Sequence, residues 1–153
     1  MREVAVPAAD VVTPNHYELD ALSERTTRTL AEVTDAVAAV QALGPRVVLT
    51  TSLVTDDTPA DRVDLLASEG GRHFRVRTPR LDVAVNGAGD AIAALFLAHW
   101  LESRDTGRAL GRAAAAVHGL LKRTEDAGSR EILVVAAQEE FVAPSRTFDV
   151  DEV

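Results

Sequence analysis

The chain contains no cysteine. Disulfides, thiolate metal sites and cysteine nucleophiles are therefore excluded together, and the lack fits a reducing compartment. Lysine is nearly absent: Lys122 is the single one, and the other fifteen basic residues are arginine. A Walker A loop needs Gly-Lys followed by Ser or Thr, whereas Lys122 is followed by Arg123 and no such loop precedes it. That removes P-loop phosphotransfer, and a lone lysine makes a Schiff-base mechanism a poor expectation. Long apolar runs are missing too. The longest stretch without a polar residue is Ala91 to Ala98, far short of the roughly 20 residues that span a bilayer. Met1-Arg2-Glu3-Val4 offers no apolar signal-peptide core. Basic charge is in deficit: 16 Lys and Arg against 24 Asp and Glu, a net charge of −8. Neither a nucleic-acid partner nor a membrane partner is expected from such a surface. The expected location is the cytoplasm.

What remains is a soluble globular composition, 46% hydrophobic and 26% charged over 153 residues. One domain, or part of a larger one, is the expected organisation, and residues 1–153 are treated as a single unit. Ala8 to Thr13 reads as a buried strand stopped by Pro14. Asn15 with Glu18, and Thr29 with Glu32, are capping-box signals for two helices. Leu30, Val33, Val37, Val40 and Leu43 mark one face of the second helix, which Gly44-Pro45 ends. Arg46 to Thr51 carries the continuous apolar run of a strand covered on both faces. Arg62 to Ala67 and His73 to Arg77 flank Glu69-Gly70-Gly71 and predict a hairpin. Thr78 to Ala88 is expected to be a loop. A long helix follows from near Gly89 through Leu101, and a second spans Thr106 to Asp126, ending at Gly128. Ile132 to Val135 is either a short strand or a helix start, since periodicity does not separate them. The tail after Pro144 reads as irregular, and Asp149, Asp151 and Glu152 as a solvated end. Arg75 and Arg77 share one face of a strand, expected to be solvated. The order of elements points to an α/β sheet.

Three motifs carry chemistry. Asn86-Gly87-Ala88-Gly89-Asp90 lies between a loop and an apolar helix. Glycines let backbone approach a ligand closely, and amides at a helix start favour an anion. Asp90 in the first turn could accept a proton from an attacking hydroxyl while the amides hold a phosphoryl group. The plain alternative is a glycine-rich loop whose Asp90 complements the helix dipole. Thr13-Pro14-Asn15-His16-Tyr17-Glu18 lies at a strand end, where α/β ligands gather. Asn15 and Glu18 suit magnesium or its waters, or are simply a capping box. Thr50-Thr51-Ser52 ends the next strand, where hydroxyls could meet phosphate or a monovalent cation, or merely form a turn.

Asp10-Val-Val-Thr-Pro-Asn-His-Tyr-Glu18, Gly44-Pro-Arg-Val-Val-Leu-Thr50, Gly87-Ala-Gly-Asp90 and the closing Val134-Val-Ala-Ala-Gln138 with Pro144 resemble the C-terminal half of the pyridoxal (pyridoxine/pyridoxamine) kinases. These belong to the ribokinase-like superfamily. The resemblance implies a three-layer α/β sandwich with a mainly parallel central sheet, here without its N-terminal part. It implies ATP-dependent phosphorylation of a B6 vitamer at its 5′-hydroxymethyl group. Asp90 would be the catalytic base touching the substrate hydroxyl, and Gly87, Ala88 and Gly89 the anion hole. Thr13, Asn15, Glu18, Thr50, Thr51, Thr78, Pro79, Arg80 and Leu81 would bind ATP. Asn15 and Glu18 would organise Mg²⁺ through water, and Thr13 and Thr50 would lie near a K⁺ or Na⁺ site. A homodimer is expected. Alternatives are a hydroxymethylpyrimidine or sugar kinase of the same superfamily, or a non-catalytic fragment that self-associates. Because the pyridine-binding residues belong to the other half, weak activity at most is expected from this chain alone.

Overall fold

The computed structural model describes residues 4–83 and 85–153. Met1 to Glu3, read above for a leader, and Ala84, inside the expected 78–88 loop, lie outside the described residues. The elements run β1 (Val11–Val12), α1 (His16–Ser23), α2 (Leu30–Gln41), β2 (Val47–Leu53), β3 (Arg62–Glu69), β4 (Arg72–Pro79), α3 (Ala88–Ser103), α4 (Thr106–Asp126) and β5 (Asp151–Glu152). Short 3-10 turns lie at Val6–Ala8 and Gln138–Phe141.

Both expected capping boxes form. Asn15 Oδ1 accepts from the Glu18 amide at 2.9 Å, and the Asn15 amide donates to Glu18 Oε2 at 2.9 Å. Thr29 and Glu32 repeat the exchange at the start of α2. Each box satisfies two amides that a helix start otherwise leaves open. Period 3.6 then turns Val33, Val37 and Val40 of α2 inward, all fully buried.

The sheet order is β1-β2-β3-β4-β5. Only β1 and β2 pair in parallel, Val11 opposite Val47; the other three pairings are antiparallel. Within this chain the expectation of a mainly parallel sheet is therefore corrected, and the reason is connection length. Gly70 and Gly71, with φ of +60° and +79°, make a two-residue turn, which joins antiparallel strands only. A parallel crossover needs a dozen or more residues, and α1 with α2 supply it between β1 and β2.

Alternation along β2 divides the interior into two cores. Val48 and Leu53 face Leu19, Val33, Val37 and Val40 of α1 and α2. Val47 and Leu49 face Phe96, Trp100, Leu110 and Ala113 of α3 and α4. Three layers result, helices on both faces of the sheet, as expected. Each buried aliphatic or aromatic side chain contributes about 1.5–3 kcal/mol, well above a surface ion pair.

Other expectations needed correction. Ala8 belongs to the turn Val6–Ala8, which Pro7 opens, so β1 is only two residues long. Residues 132–135 form neither strand nor helix but a turn region. The tail is not simply solvated: β5 pairs with β4 at Phe74 and Arg75, and Arg72 donates to both oxygens of Glu152 at 2.8 and 2.9 Å. Arg75 and Arg77 are engaged by Asp57 and Asp64 rather than bathed in water.

Three glycines of α4 receive neighbours. A Cβ at Gly107 would stand 2.9 Å from the Phe74 ring, and one at Gly111 2.8 Å from Val150 Cγ2. One at Gly119 would collide with the Glu140 carboxylate, which is buried and accepts from the Ser145 amide at 2.7 Å.

Candidate functional site

The carboxyl ends of β1, β2 and β4 and the start of α3 meet at one end of the sheet. β1 is locked to β2 there, since the Thr51 amide donates to the Pro14 carbonyl at 2.9 Å. β2 is irregular between Thr50 and Leu53, and Ser52 has φ of +51°. A left-handed serine costs about 1–3 kcal/mol, and here it accompanies a change in alternation: adjacent Thr51 and Ser52 line one cavity. That cavity measures about 320 Å³, within the range of small-ligand sites. Val54, Val63, Leu65, Ile92, Val117 and Leu121 supply apolar walls. Thr51, Ser52, Thr78, Arg80 and His118 add polar groups, and Ala88 and Gly89 bring the start of α3 to it.

Gly87 caps α3 with φ of +93° and no side-chain cap. The first intrahelical bond runs from the Ala91 amide to the Gly87 carbonyl at 2.9 Å. The amides of Ala88, Gly89 and Asp90 precede it and have no intrahelical acceptor. Gly89 is not explained by backbone, because its φ is not positive. Nor does packing explain it, because an added Cβ would meet, among the described residues, no atom within 4 Å beyond its own helix turn. Glycine there costs about 1 kcal/mol of helix propensity relative to alanine. What it provides is open space in front of unpaired amides. Asp90, in the same first turn, is exposed.

Of the residues expected from the sequence, Thr51, Thr78, Pro79, Arg80, Leu81, Ala88 and Gly89 line the cavity together. Gly87 adjoins it as the cap. Thr13, Asn15, Glu18 and Asp90 are not part of its wall. Asn15 and Glu18 hold each other in the capping box. Thr50 is fully buried. Its Oγ1 has no hydrogen-bond partner among the described residues. The loop after β4 is tied down: the Arg80 amide donates to the Asp61 carbonyl at 2.9 Å, and the Asp82 amide to Glu125 Oε1 at 3.0 Å.

Ser52, in the Thr50-Thr51-Ser52 motif, reaches the cavity as one of the expected hydroxyls; sequence reasoning missed the apolar wall and His118. Val63 and Leu65 alternate as cavity residues on β3, a signal that was available; the turned backbone of Ser52 was not. Burial, then the cationic Arg146 and Lys122, hold the His118 imidazole below its ordinary range. Lys122 is bound by Asp126 and Glu125 at 2.6 and 2.8 Å. These hydrogen bonds, Asp126 first, push its pKa up, opposite to what an amine nucleophile needs. Among the described residues no three His, Asp or Glu gather as a metal cage, and no helix is long and apolar enough to cross a membrane.

Three layers, a cavity at the strand ends and a glycine-led helix start define a ribokinase-like α/β fold. The sequence matches the phosphomethylpyrimidine kinase family over residues 1–134, and the chain belongs to that family. It is 52% identical to "Pyridoxal kinase PdxY" of Granulibacter bethesdensis, with 96% of this chain and 53% of the relative covered. It is 48% identical to the protein of the same name from Rubrobacter xylanophilus, covering 100% of this chain and 53% of that one. Among solved structures, pyridoxal kinase from Leishmania donovani in complex with ADP and ginkgotoxin superposes with a TM-score of 0.88 at 27% identity, over 99% of this chain and 53% of the other. Pyridoxal kinase from Trypanosoma brucei gives 0.85 at 29%, over 99% and 54%. The chain spans about half the length of the curated relatives it matches.

Proposed function

We propose that residues 1–153 are the nucleotide-binding half of an ATP-dependent pyridoxal kinase, acting on the 5′-hydroxymethyl group of pyridoxal, pyridoxine or pyridoxamine. The observation that carries this is Gly89. It is a glycine that neither backbone nor packing demands, at a helix start that opens onto a cavity of nucleotide-compatible size. The names of the relatives and the ADP complexes among the structural neighbours support the assignment.

In this assignment the base and ribose of ATP occupy the cavity between Thr78–Leu81 and the α4 wall. The amides of Gly87, Ala88 and Gly89 hold the γ-phosphoryl oxygens, so charge that builds during transfer meets fixed dipoles. Asp90 accepts the proton of the vitamin's hydroxyl; its oxygen bonds to the γ-phosphorus, and the bond to the β–γ bridging oxygen breaks to release ADP. Thr13, Thr50 and Thr51 stand at the phosphate end. Mg²⁺ sites commonly use only one or two carboxylates with waters, so the lack of a three-residue cage among the described residues is compatible with it. Asn15 and Glu18 are the residues that would hold it, through water. It would neutralise phosphate charge. The orphaned buried hydroxyl of Thr50 fits a K⁺ or Na⁺ ligand. A cytoplasmic homodimer completes the proposal; exposed Leu97 and Leu101 on α3 are the apolar surface that favours association.

Two other readings have support. The family's description, phosphomethylpyrimidine kinase, favours a pyrimidine acceptor, and exposed Leu97 and Leu101 would suit a self-associating fragment without turnover of its own. One experiment separates them. The purified chain is assayed with Mg·ATP and pyridoxal or hydroxymethylpyrimidine, with and without the N-terminal half of a PdxY relative, while light scattering gives its mass. Phosphorylation of pyridoxal on complementation is expected, with little from the chain alone. Robust turnover by a monomer alone would refute the half-site assignment.

A further inference from the structure

The segment between β2 and β3, residues 54–61, borders the cavity through Val54 and holds Arg80 through the Asp61 carbonyl. It has no apolar anchor of its own, since Val54 is exposed and the rest is Thr-Asp-Asp-Thr-Pro-Ala-Asp. Polar bonds hold it instead. Asp64, on β3, is 1% exposed and receives Arg77 of β4 through Nε and Nη2, both at 2.7 Å. Thr58 Oγ1 donates to the same carboxylate at 3.0 Å. Asp57 accepts from Arg75 at 3.0 Å and Arg77 at 3.4 Å. On the opposite side the Asp56 amide donates to the Arg28 carbonyl at 2.8 Å. The Val54 amide donates to His16 Nδ1 at 3.4 Å, while His16 Nε2 bonds Thr27 Oγ1.

A buried carboxylate is costly unless fully bonded, and an apolar pair would hold two strands at least as well. Asp64 and Arg77 are not needed to pair β3 with β4, whose ladder is unbroken from Arg62–Pro79 to Glu69–Arg72. What they add is a connection from the ladder to the segment above it. We infer that Asp64 and Arg77 are positioning residues for the nucleotide cavity. Together with Asp57 and Thr58 they fix residues 54–61, and thereby the Val54 wall and the Arg80 backbone. The inference rests on the nucleotide-binding assignment above.

The test uses the full chain. Binding of a fluorescent ATP analogue with Mg²⁺, thermal unfolding, and hydrogen exchange of residues 54–61 are measured for wild type, Asp64→Asn and Asp57→Asn. Asp57 is half exposed and leaves the Asp64–Arg77 pair intact, so its variant stays folded even where Asp64→Asn does not. Wild type is expected to bind. Asp57→Asn is expected to keep the cooperative unfolding of wild type, to lose exchange protection in residues 54–61, and to bind about fivefold more weakly or worse. A folded Asp64→Asn variant with wild-type affinity, or an Asp57→Asn variant that loses exchange protection in residues 54–61 yet keeps wild-type affinity, overturns the positioning role and leaves the nucleotide assignment standing. Wild type that binds no analogue overturns the nucleotide assignment, and the positioning role with it.

Discussion

Replacing Gly89 by alanine sets two effects of opposite sign against each other. In the free chain the methyl meets nothing within 4 Å among the described residues beyond its own helix turn, and the backbone is helical. Alanine should therefore recover up to about 1 kcal/mol of helix propensity, less in a first turn than in mid-helix. For a chain of this size 1 kcal/mol corresponds to roughly 2–4 °C in Tm. The same methyl occupies the space in front of the amides of α3, where a phosphoryl oxygen must come within hydrogen-bond distance. Loss of one such amide bond to a charged oxygen costs about 1.5–3 kcal/mol, or roughly 10- to 150-fold in affinity at 1.4 kcal/mol per decade. Calorimetric Tm and titration with an ATP analogue, run on the same preparation, check both halves. Higher Tm with weaker binding is the expected pair. Unchanged binding would refute the idea that Gly89 is there for a ligand, and a fall in Tm would refute the claim that packing leaves the position open.

Three further expectations follow from the site and the charges. In the complemented enzyme, Asp90→Asn should lower kcat about 10²- to 10⁴-fold with little change in ATP affinity; near-normal kcat removes Asp90 as the base. Glu18→Gln should raise the Mg²⁺ concentration for half-maximal activity. An unchanged Mg²⁺ titration, with only the modest stability loss of a weakened cap, returns the pair to a structural role. Stability should fall as pH drops below about 6.5, because burial, the first cause in each case, lowers the pKa of His73, His99 and His118. Their unfolded forms bind protons first, so the loss begins at the ordinary histidine value and continues through the lower folded values. A second loss follows in the acid range. Burial raises Glu69 and Glu140, but hydrogen bonds from Thr106, Trp100 and Arg46, and from Ser145 and Arg123, outweigh it and leave both low. Tm measured from pH 8 to 3 should decline in these two stages; a flat profile between pH 8 and 5 contradicts the histidine contribution.

Local signals were legible in the sequence. Thr106 to Asp126 is the helix expected from its pattern, both capping boxes form, and Gly70-Gly71 turns the hairpin. Each depends on neighbours a few residues apart. Strand sense was less legible, because a strand's apolar pattern does not encode its direction and only the short turns betray it. The partners of Arg75 and Arg77 lie 13 to 20 residues away across a turn, and Glu152 meets Arg72 across 80 residues, so charge patterning alone suggested a solvated surface. Residues 78–81 and, from the glycine motif, Ala88 and Gly89 line the cavity, whereas Thr50 shows the limit. One residue of shift along an irregular strand decides whether Thr50 or Thr51 reaches the cavity.

Gly107, Gly111 and Gly119 divide α4 into three notches along about 18 Å of axis, at 1.5 Å per residue. Each admits a side chain from a different part of the chain: Phe74, Val150 and Glu140. The helix thus acts as a template that stores the address of the tail. Residues between the notched contacts, such as exposed Val142, carry little of that information and are free to drift in sequence. A large side chain at any one notch would instead eject a whole segment while leaving the helix itself intact.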